Sequence, residues 1–376
     1  MEIHCPHFIK CSGCTREKAI EHPASLDDAR QFFKNLNISP LTLHVGSATG
    51  WRCRAKLAVR GPAQSPLVGL FEEGSHHVID IPFCQVHHPV INRAAEAIRH
   101  WIKEQQIRPY DENQNTGLLR YIQLAVERST KRIQLVLVLN TRNLQEPDLK
   151  ALETLWQQHP DLWHSLWINF NTRRDNVIFS PDWRRLFGEE WLWEMLSGRE
   201  VCFHPASFVQ ANLEMFEEML LRIVVLIPQG ARLLEYYAGV GAIGLSLVER
   251  CSSIQCLEIV PNAKECFEQS LARMTPELQQ KMSFICGSAG AHADLLNQAQ
   301  IVLVDPPRKG LEKPLLKALC DPSGIESLIY VSCGWDSFKR DCESLLESSW
   351  TLSSAEAYLF FPGSDHLEIL AVFKKK

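Results

Sequence analysis

The stretch ARLLEYYAGVGAIGLSLVER (residues 231–250) decides the fold of the second half of the chain. An apolar run leads into three glycines and an apolar helical pattern follows, which predicts a strand, a tight turn and a helix. Glycine in such a turn tolerates positive φ and lets a ligand approach the backbone closely. The G-x-G-x-x-G pattern of Gly239, Gly241 and Gly244 therefore indicates a nucleotide-like ligand.

Strands and helices alternate after this stretch. IQCLEIV (254–260), IVLVDPP (301–307) and SLIYVSC (327–333) read as strands, and PNAKECFEQSLARM (261–274) and DSFKRDCESLL (336–346) as helices. Alternation of this kind is typical of a parallel, doubly wound sheet, whose ligands bind beyond the carboxyl ends of the strands. We therefore predict a Rossmann-like α/β domain over residues 199–376.

The first half of the chain has a different pattern. Alternating runs such as RIQLVLVLN (132–140) predict strands, and helical stretches interrupt them near 90–105 and 146–158. We predict a β-rich α+β region in two parts. Residues 1–90 hold a cysteine-containing loop and the first strands, and residues 91–198 form the central part.

Composition indicates an ordinary globular chain. It has 376 residues, 45% of them hydrophobic, and no apolar run of the roughly 18 residues that a membrane span requires. The N-terminus is polar, without a signal core, so we expect a cytoplasmic location in which the 13 cysteines are reduced.

The net charge of −5 argues weakly against a nucleic-acid partner. However, Arg52, Arg54 and Lys56 alternate along one predicted strand and would share a face. They could contact phosphates, or they could protect a solvated strand edge, and the sequence favours neither interpretation.

Cysteines close to the N-terminus suggest a metal site. Cys5, Cys11 and Cys14 have the spacing C-x5-C-x2-C, and Cys84 could be a fourth ligand. Four thiolates suit an iron–sulfur cluster or structural zinc, and nearby histidines keep zinc open as the less favoured choice. The spacing differs from the radical-type C-x3-C-x2-C, so we expect a structural or RNA-orienting role.

Two carboxylates stand at predicted strand ends. Glu258 follows the glycine turn by about 20 residues and could accept hydrogen bonds from ribose hydroxyls, or it could be an exposed strand-end acid. Asp305 precedes two prolines and could contact a cofactor or a target base, or it could cap the next helix. A dinucleotide and S-adenosylmethionine both remain candidate ligands at this point.

Cys333 ends an apolar strand and is followed at once by a turn and charged residues. It could be a packing residue or a nucleophile presented at the strand end. Near the C-terminus, His366 and Glu368 enter another predicted strand, and a carboxylate close to a thiol could act as a general base.

The motifs taken together resemble one family. They are HPASFVQAN (204–212), EYYAGVGAIG (235–244), LEIVPNA (257–263), DPPRKG (305–310), YVSC (330–333) with Arg340 and Asp341, and HLE (366–368). In this order they resemble the RNA uracil carbon-5 methyltransferases, which make 5-methyluridine in ribosomal and transfer RNA. The resemblance covers nearly the whole chain.

The resemblance implies roles for individual residues. It makes Cys333 the nucleophile and Glu368 the general base. It implies S-adenosylmethionine as cofactor, held by Gln210, Tyr237, Glu258 and Asp305 above the turn of Gly239 and Gly241. The target uridine would be flipped out of its stack, and Trp335 or Phe361 could hold it.

The resemblance also bears on the RNA. Its ribosomal branch carries a [4Fe–4S] cluster on cysteines that match Cys5, Cys11, Cys14 and Cys84, and its transfer-RNA branch generally lacks it. We therefore expect a uridine of 23S rRNA as the target, with tRNA as the alternative, and neither a membrane nor an obligate protein partner.

One departure from the family pattern stands at the nucleophile. The family usually reads Ser-Cys-Asn-Pro, and this chain has Gly334 and Trp335 after the cysteine. A non-catalytic, metal-containing RNA-binding protein is therefore a rival. A nicotinamide oxidoreductase does not explain the C-terminal Cys and Glu or the proline loop, and a DNA cytosine carbon-5 methyltransferase usually places its nucleophile after a proline in mid-domain.

Overall fold

The computed structural model describes residues 1–321 and 324–376. It divides the chain into two compact units that are both discontinuous in sequence. The first unit comprises Met1–Ile20, Ser47–Leu192 and Val209–Leu213, and the second comprises Glu21–Gly46, Trp193–Phe208 and Glu214–Lys376. This division differs from the predicted sequence of 1–90, 91–198 and 199–376.

The strands and helices are named in chain order. The strands are β1 (Thr42–Val45), β2 (Arg54–Arg60), β3 (Leu67–Phe71), β4 (Val78–Asp80), β5 (Leu119–Glu127), β6 (Arg132–Leu139), β7 (Trp163–Phe170), β8 (Trp183–Gly188), β9 (Leu192–Leu196), β10 (Arg199–Phe203), β11 (Ala231–Tyr236), β12 (Cys251–Glu258), β13 (Met282–Cys286), β14 (Ile301–Val304), β15 (Ser327–Ser332), β16 (Trp350–Leu359) and β17 (Glu368–Lys375). The helices are α1 (Ala24–Asn35), α2 (Pro89–Glu104), α3 (Glu146–Gln158), α4 (Leu213–Leu226), α5 (Ala242–Leu247), α6 (Pro261–Ala272), α7 (Pro276–Gln279), α8 (Lys313–Cys320) and α9 (Trp335–Leu346), with a 3₁₀ segment at Gly290–Gln298.

The first unit contains a seven-stranded sheet in the order β4-β3-β2-β5-β6-β7-β8. All neighbouring strands are antiparallel except β6 and β7. The indole N–H of Trp101 in α2 donates to the carbonyl of Ala151 in α3, 2.7 Å away, which joins the two helices. Strand β2 pairs with β5 over Arg54–Ala58 and with β3 over Ala58–Arg60, so Arg54 and Lys56 pair on the β5 side, and both interpretations of these side chains stay predictions.

The second unit confirms the predicted doubly wound α/β fold. Its eight-stranded sheet has the order β1-β16-β17-β15-β14-β11-β12-β13. Only the last strand, β17, is antiparallel to its neighbours β15 and β16. From β11 the chain winds outward through β12 to β13 and then returns to β14 on the other side of β11. This change of direction forms a topological switch point, where open α/β sheets bind ligands.

The segment Glu21–Gly46 belongs to the second unit because β1 pairs in parallel with β16, with Thr42 opposite Glu356. Helix α1 precedes this strand and buries Leu26, Ala29 and Phe33 in the same apolar core. Pairing with a strand more than 300 residues away in sequence leaves no local signal, which explains the difference from the predicted domain bounds.

No helix among residues 1–321 and 324–376 is long and apolar enough to cross a membrane.

A buried carboxylate anchors the loop that follows β14. Asp341 in α9 is fully buried, and its Oδ2 accepts hydrogen bonds from the Leu311 N–H at 2.8 Å and the Tyr330 hydroxyl at 2.9 Å. Its Oδ1 accepts from the guanidinium of Arg340 at 2.8 Å. Gly310 has φ +82°, and a Cβ there would come within 2.5 Å of both side chains. The loop therefore packs directly against this ion pair.

We predict that Asp341→Ala lowers the free energy of unfolding by about 2–3 kcal/mol, because it leaves a buried hydroxyl and a buried N–H without an acceptor. Urea unfolding of both proteins measures the difference. Asp336→Ala is the matched control on the same helix, since that side chain is exposed, and we expect a change within about 0.5 kcal/mol. Equal losses in the two variants would contradict the assignment.

Candidate active site

The reversed direction of β17 brings the predicted nucleophile and base together. Ser332 at the end of β15 pairs with Ile369 in β17, so Cys333 and Glu368, which flank these two residues, lie at the same edge of the sheet. Asp305 follows β14, the parallel neighbour of β15, at this edge. The sequence-predicted Cys333, Glu368 and Asp305 therefore form one group.

The glycine turn follows β11 and is open toward a ligand. Gly239 and Gly241 have φ values of +55° and +78°. A Cβ at Gly239 would meet no heavy atom within 4 Å, whereas one at Gly241 would lie 2.7 Å from the ring of Phe267. Gly239 thus leaves room for a ligand against the backbone, and Gly241 allows the turn to pack on α6.

Glu258 is held firmly against this turn. Its Oε2 accepts from the N–H of Gly239 at 3.1 Å, and its Oε1 accepts from the N–H groups of Ile259 and Val260 at 2.9 and 3.0 Å. The carboxylate is therefore oriented by three backbone donors and is not a mobile strand-end acid.

A second acidic residue, Glu235, contacts the glycine turn, and the sequence predicted no role for it. Glu235 is buried, and its Oε2 accepts from the Gly244 N–H at 2.9 Å. Burial raises the pKa of its carboxyl to about 8. A Cβ at Gly244 would lie 2.6 Å from this carboxylate, so the third glycine of the motif serves packing.

Tyr237 connects the glycine turn to the loop after β14. Its hydroxyl accepts a hydrogen bond from the Glu312 N–H at 3.0 Å, and burial raises the pKa of this phenol to about 12. The residue has φ +60°, an unusual conformation for a side chain of this size. The predicted cofactor contact would therefore come from the face of the half-buried ring.

Asp305 is not a helix cap, because α8 begins at Lys313 with Glu312 at the cap position. Burial, and then the charge of Glu258, raise the pKa of Asp305 to about 7. The carboxyl is thus placed close to Glu258 and to the other groups at the sheet edge.

Cys333 is half-buried and Glu368 is buried. Burial raises the pKa of the Cys333 thiol to about 12, and the negative charges of Glu368 and Asp305 add to the shift. Glu368 is 5% exposed, and burial followed by the charge of Asp305 holds its pKa well above the usual range. The ligand-free site therefore favours protonated, neutral forms of both groups.

Arg308 places a positive charge near the reacting groups, a role that no motif in the sequence predicted. Its charge lowers the pKa values of both Cys333 and Glu368. Its Nη2 donates to His366 Nε2 at 3.2 Å, and the His366 ring meets Phe361 edge-on at 6.2 Å between centroids. The role of Phe361 in holding a base stays a prediction.

The loop that carries the nucleophile packs tightly on the loop after β14. A Cβ at Gly334 would lie 2.6 Å from the Arg308 carbonyl oxygen. The Ser337 hydroxyl lies 2.8 Å from that carbonyl and 2.9 Å from the carbonyl of Gly334. Glycine at position 334 is therefore required by the close approach of the two backbones.

Trp335 makes a structural contact that the sequence did not predict, and its role in holding a base stays a prediction. Its indole N–H donates to Asp28 Oδ2 at 2.6 Å, and its ring packs against Phe32, Phe33 and Phe338. The side chain therefore fixes the start of α9 to α1. Its nearest aromatic partners come from a helix that is distant in sequence, which is why sequence reasoning missed the contact.

Gln210, another predicted cofactor contact, lies in the short segment Val209–Leu213 of the first unit. The Cys53 N–H donates to the Ala211 carbonyl at 2.7 Å and ties the segment to that unit. The role of Gln210 remains a prediction.

The four predicted metal ligands are in the first unit. Burial and then the charges of Cys84, Cys11 and Cys5 raise the pKa of Cys14 to about 12, so the four sulfurs share one neighbourhood. In the part of the chain that the structure describes, no three His, Cys, Asp or Glu side chains are arranged to hold one metal ion. The predicted metal site is therefore not seen as a single-ion site. The [4Fe–4S] cluster on these four cysteines therefore stays a prediction.

Comparisons with known proteins agree with the fold and with the family that the motifs resemble. The profile of the tRNA (uracil-5-)-methyltransferase family matches residues 25–376. An uncharacterized RNA methyltransferase of Protochlamydia amoebophila is 44% identical over 99% of this chain and 98% of its own length. Another from Halalkalibacterium halodurans is 27% identical over the whole chain and 84% of its own length.

The crystal structure of the Pyrococcus abyssi tRNA (uracil-54, C5)-methyltransferase in complex with S-adenosyl-L-homocysteine has a similar fold, with a TM-score of 0.75. The two chains are 24% identical, and the match covers 92% of this chain and 81% of that one. At this identity the likeness shows the fold alone. The family match and the Protochlamydia relative go further, and they show that this chain belongs to the tRNA (uracil-5-)-methyltransferase family of S-adenosylmethionine-dependent RNA methyltransferases.

Proposed function

We propose that the protein methylates carbon 5 of one uridine, most simply in 23S rRNA, through a covalent adduct between Cys333 and carbon 6 of the base. The observation that carries the proposal is the pairing of Ser332 with Ile369, which sets a thiol and a carboxyl side by side at the carboxyl edge of the parallel strands. The tRNA substrate is the second candidate, since one branch of the resembling family acts on tRNA.

The methyl donor would bind over the glycine turn. The open backbone at Gly239 and the oriented carboxylate of Glu258 suit a nucleoside, and Asp305, the Tyr237 ring and Gln210 complete the predicted set. S-adenosylmethionine supplies the methyl group when bound. The role of these residues is to hold its carboxyl-end and ribose groups still and to keep water away from the reacting carbon.

Cys333 and Glu368 would perform the chemistry on the base. The sulfur of Cys333, as thiolate, forms a bond to carbon 6, and the ring electrons move to carbon 5 and the carbonyl as an enolate. Carbon 5 is then nucleophilic and takes the methyl group. Glu368, as carboxylate, removes the proton from carbon 5, and the bond between sulfur and carbon 6 breaks to return the thiolate.

Labelled S-adenosylmethionine offered with unmodified 23S rRNA or unmodified tRNA tests this function. We expect label in 5-methyluridine from 23S rRNA with the wild-type protein, and no label with Cys333→Ala, because the adduct cannot form. Cys320→Ala is the matched control, since Cys320 is also half-buried in the second unit. Turnover by Cys333→Ala would refute the nucleophile, and label in tRNA alone would overturn the rRNA substrate.

Donor binding should also release protons. Burial and then the charge of Glu258 raise the pKa of Asp305 to about 7, and burial followed by the charge of Asp305 raises the pKa of Glu368 well above its usual range. A cationic sulfonium placed nearby lowers carboxyl pKa values, so we expect release of up to about one proton per donor at pH 7. Calorimetry in buffers of different ionisation enthalpy measures this number.

The neutral S-adenosylhomocysteine is the matched ligand and should release fewer protons. Asp305→Asn should also reduce the number of protons released when S-adenosylmethionine binds. Raising the pH to 9 should reduce it too, because Asp305 is then already ionised before binding. Equal proton release by donor and product would contradict this electrostatic account.

We also propose a [4Fe–4S] cluster on Cys5, Cys11, Cys14 and Cys84, with zinc as the less favoured alternative. The shared neighbourhood of the four sulfurs supports it. All 13 cysteines are free thiols, which suits a reducing compartment, and we propose a cytoplasmic location.

Anaerobic purification should therefore yield a brown protein with about four iron atoms per chain. Cys11→Ala should lose the colour and the iron, whereas Cys286→Ala, an exposed cysteine of the second unit, should keep both. Stoichiometric zinc without iron in the wild-type protein would show that the alternative is correct.

A further inference from the structure

We infer that a groove in the first unit binds an unpaired nucleotide of the RNA substrate, with its base stacked on Phe83 and its phosphates on Arg93 and Lys103. This inference rests on the proposed function in taking RNA as the substrate. It adds a recognition site in the first unit, distinct from the reacting groups Cys333 and Glu368, which lie in the second unit.

The groove lies beside helix α2. Its volume is 760 Å³, and it is lined on one side by residues of that helix and on the other by the turns before β3 and after β4. The residues that matter here are Phe83, Arg93 and Lys103, with the ion pair of Asp80 and Arg99 at the base.

Phe83 is an exposed aromatic residue that is nevertheless fixed in position. It is 65% exposed, yet its N–H donates to His7 Nε2 at 3.1 Å and its carbonyl accepts from the Gln85 side chain at 3.1 Å. The His7 ring lies parallel to it, with planes 9° apart and centroids 6.3 Å apart. An aromatic face that is both exposed and ordered can stack on a base with little loss of side-chain entropy.

The groove also has cations without an internal partner. Arg99 is neutralised by Asp80 at 2.7 Å and Glu96 at 3.3 Å, and the other oxygen of Glu96 lies 3.4 Å from His100. Both acids of the groove are thus engaged. Within the described residues, Arg93 and Lys103 have no acidic partner, although both are exposed on the same face of α2.

An exposed aromatic ring beside unpaired cations matches the chemistry of a single-stranded nucleotide. The base offers a π-face, and the flanking phosphates offer negative charge. The same arrangement indicates what the cysteine loop would do for RNA binding. His7 lies between Cys5 and Cys11, and Cys84 follows Phe83 directly, so a cluster on these thiols would hold the stacking ring in place.

Binding of a short, fluorescein-labelled, single-stranded RNA of mixed sequence tests the inference by anisotropy, with no need for methyl transfer. We expect Phe83→Ala to weaken binding by about 5-fold to 100-fold and Phe83→Trp to restore it. Arg93→Gln with Lys103→Gln should reduce the slope of log K against log salt by about 1.4, the value for two phosphate contacts on a single strand. This double variant lies outside the cysteine loop, so it tests the groove even if Phe83→Ala disturbs that loop.

Arg142→Gln with Lys150→Gln is the matched control. It removes the same charge from exposed positions of the first unit outside the groove, and we expect an unchanged affinity and slope. The inference would be overturned if Phe83→Ala bound the RNA with wild-type affinity. It would also be overturned if the groove and control variants lost the same slope of log K against log salt. If the groove variants weaken binding while the wild-type protein methylates no RNA, the groove stands and the proposed function fails. If the groove variants bind RNA as well as the wild-type protein, and the wild-type protein methylates RNA, the groove is refuted and the proposed function stands.

Discussion

The antiparallel pairing of β17 with β15 is the constraint on which the site depends. In a sheet of parallel strands, residues at strand starts and strand ends lie at opposite edges, so a strand-start carboxyl could not reach a strand-end thiol. Reversal of the last strand removes this separation and places Glu368 next to Cys333. The same pairing buries Glu368, because β17 is an inner strand with β16 on its other side.

That burial creates an electrostatic conflict. Asp305 and Glu368 repel each other's negative charge, the thiol of Cys333 joins the group, and Arg308 is the cation that opposes them. A protein that needed only a stable core would place apolar residues here. A site for a cationic donor gains from these carboxyl groups, because the positive charge of the donor would stabilise their ionised forms. The close placement of these acidic groups therefore lowers the stability of the folded protein and also favours binding of the cationic methyl donor.

Local patterns predicted a large part of this structure. The glycine turn, the alternation of strands and helices, and the position of Cys333 follow from hydrophobic periodicity and turn chemistry over short stretches. The contact of Trp335 with α1, the pairing of β1 with β16 and the role of Arg308 depend on chain segments that meet only in the folded protein. The proximity of Glu368 to Cys333 was expected from the family resemblance, since no local pattern reports the register of an antiparallel pair.

The departure from Ser-Cys-Asn-Pro at the nucleophile is explained by its surroundings. An asparagine at position 334 would place its Cβ 2.6 Å from the carbonyl oxygen of Arg308, so the loop after β14 would have to move outward. In this chain the missing Cβ allows that loop to lie close, and Ser337 bridges the two backbones. Trp335 then supplies, through Asp28 and its aromatic partners, the rigidity that proline gives in the family pattern. Gly334 and Trp335 are therefore a matched pair, because the first lets the two loops approach closely and the second fixes the start of α9 next to Cys333.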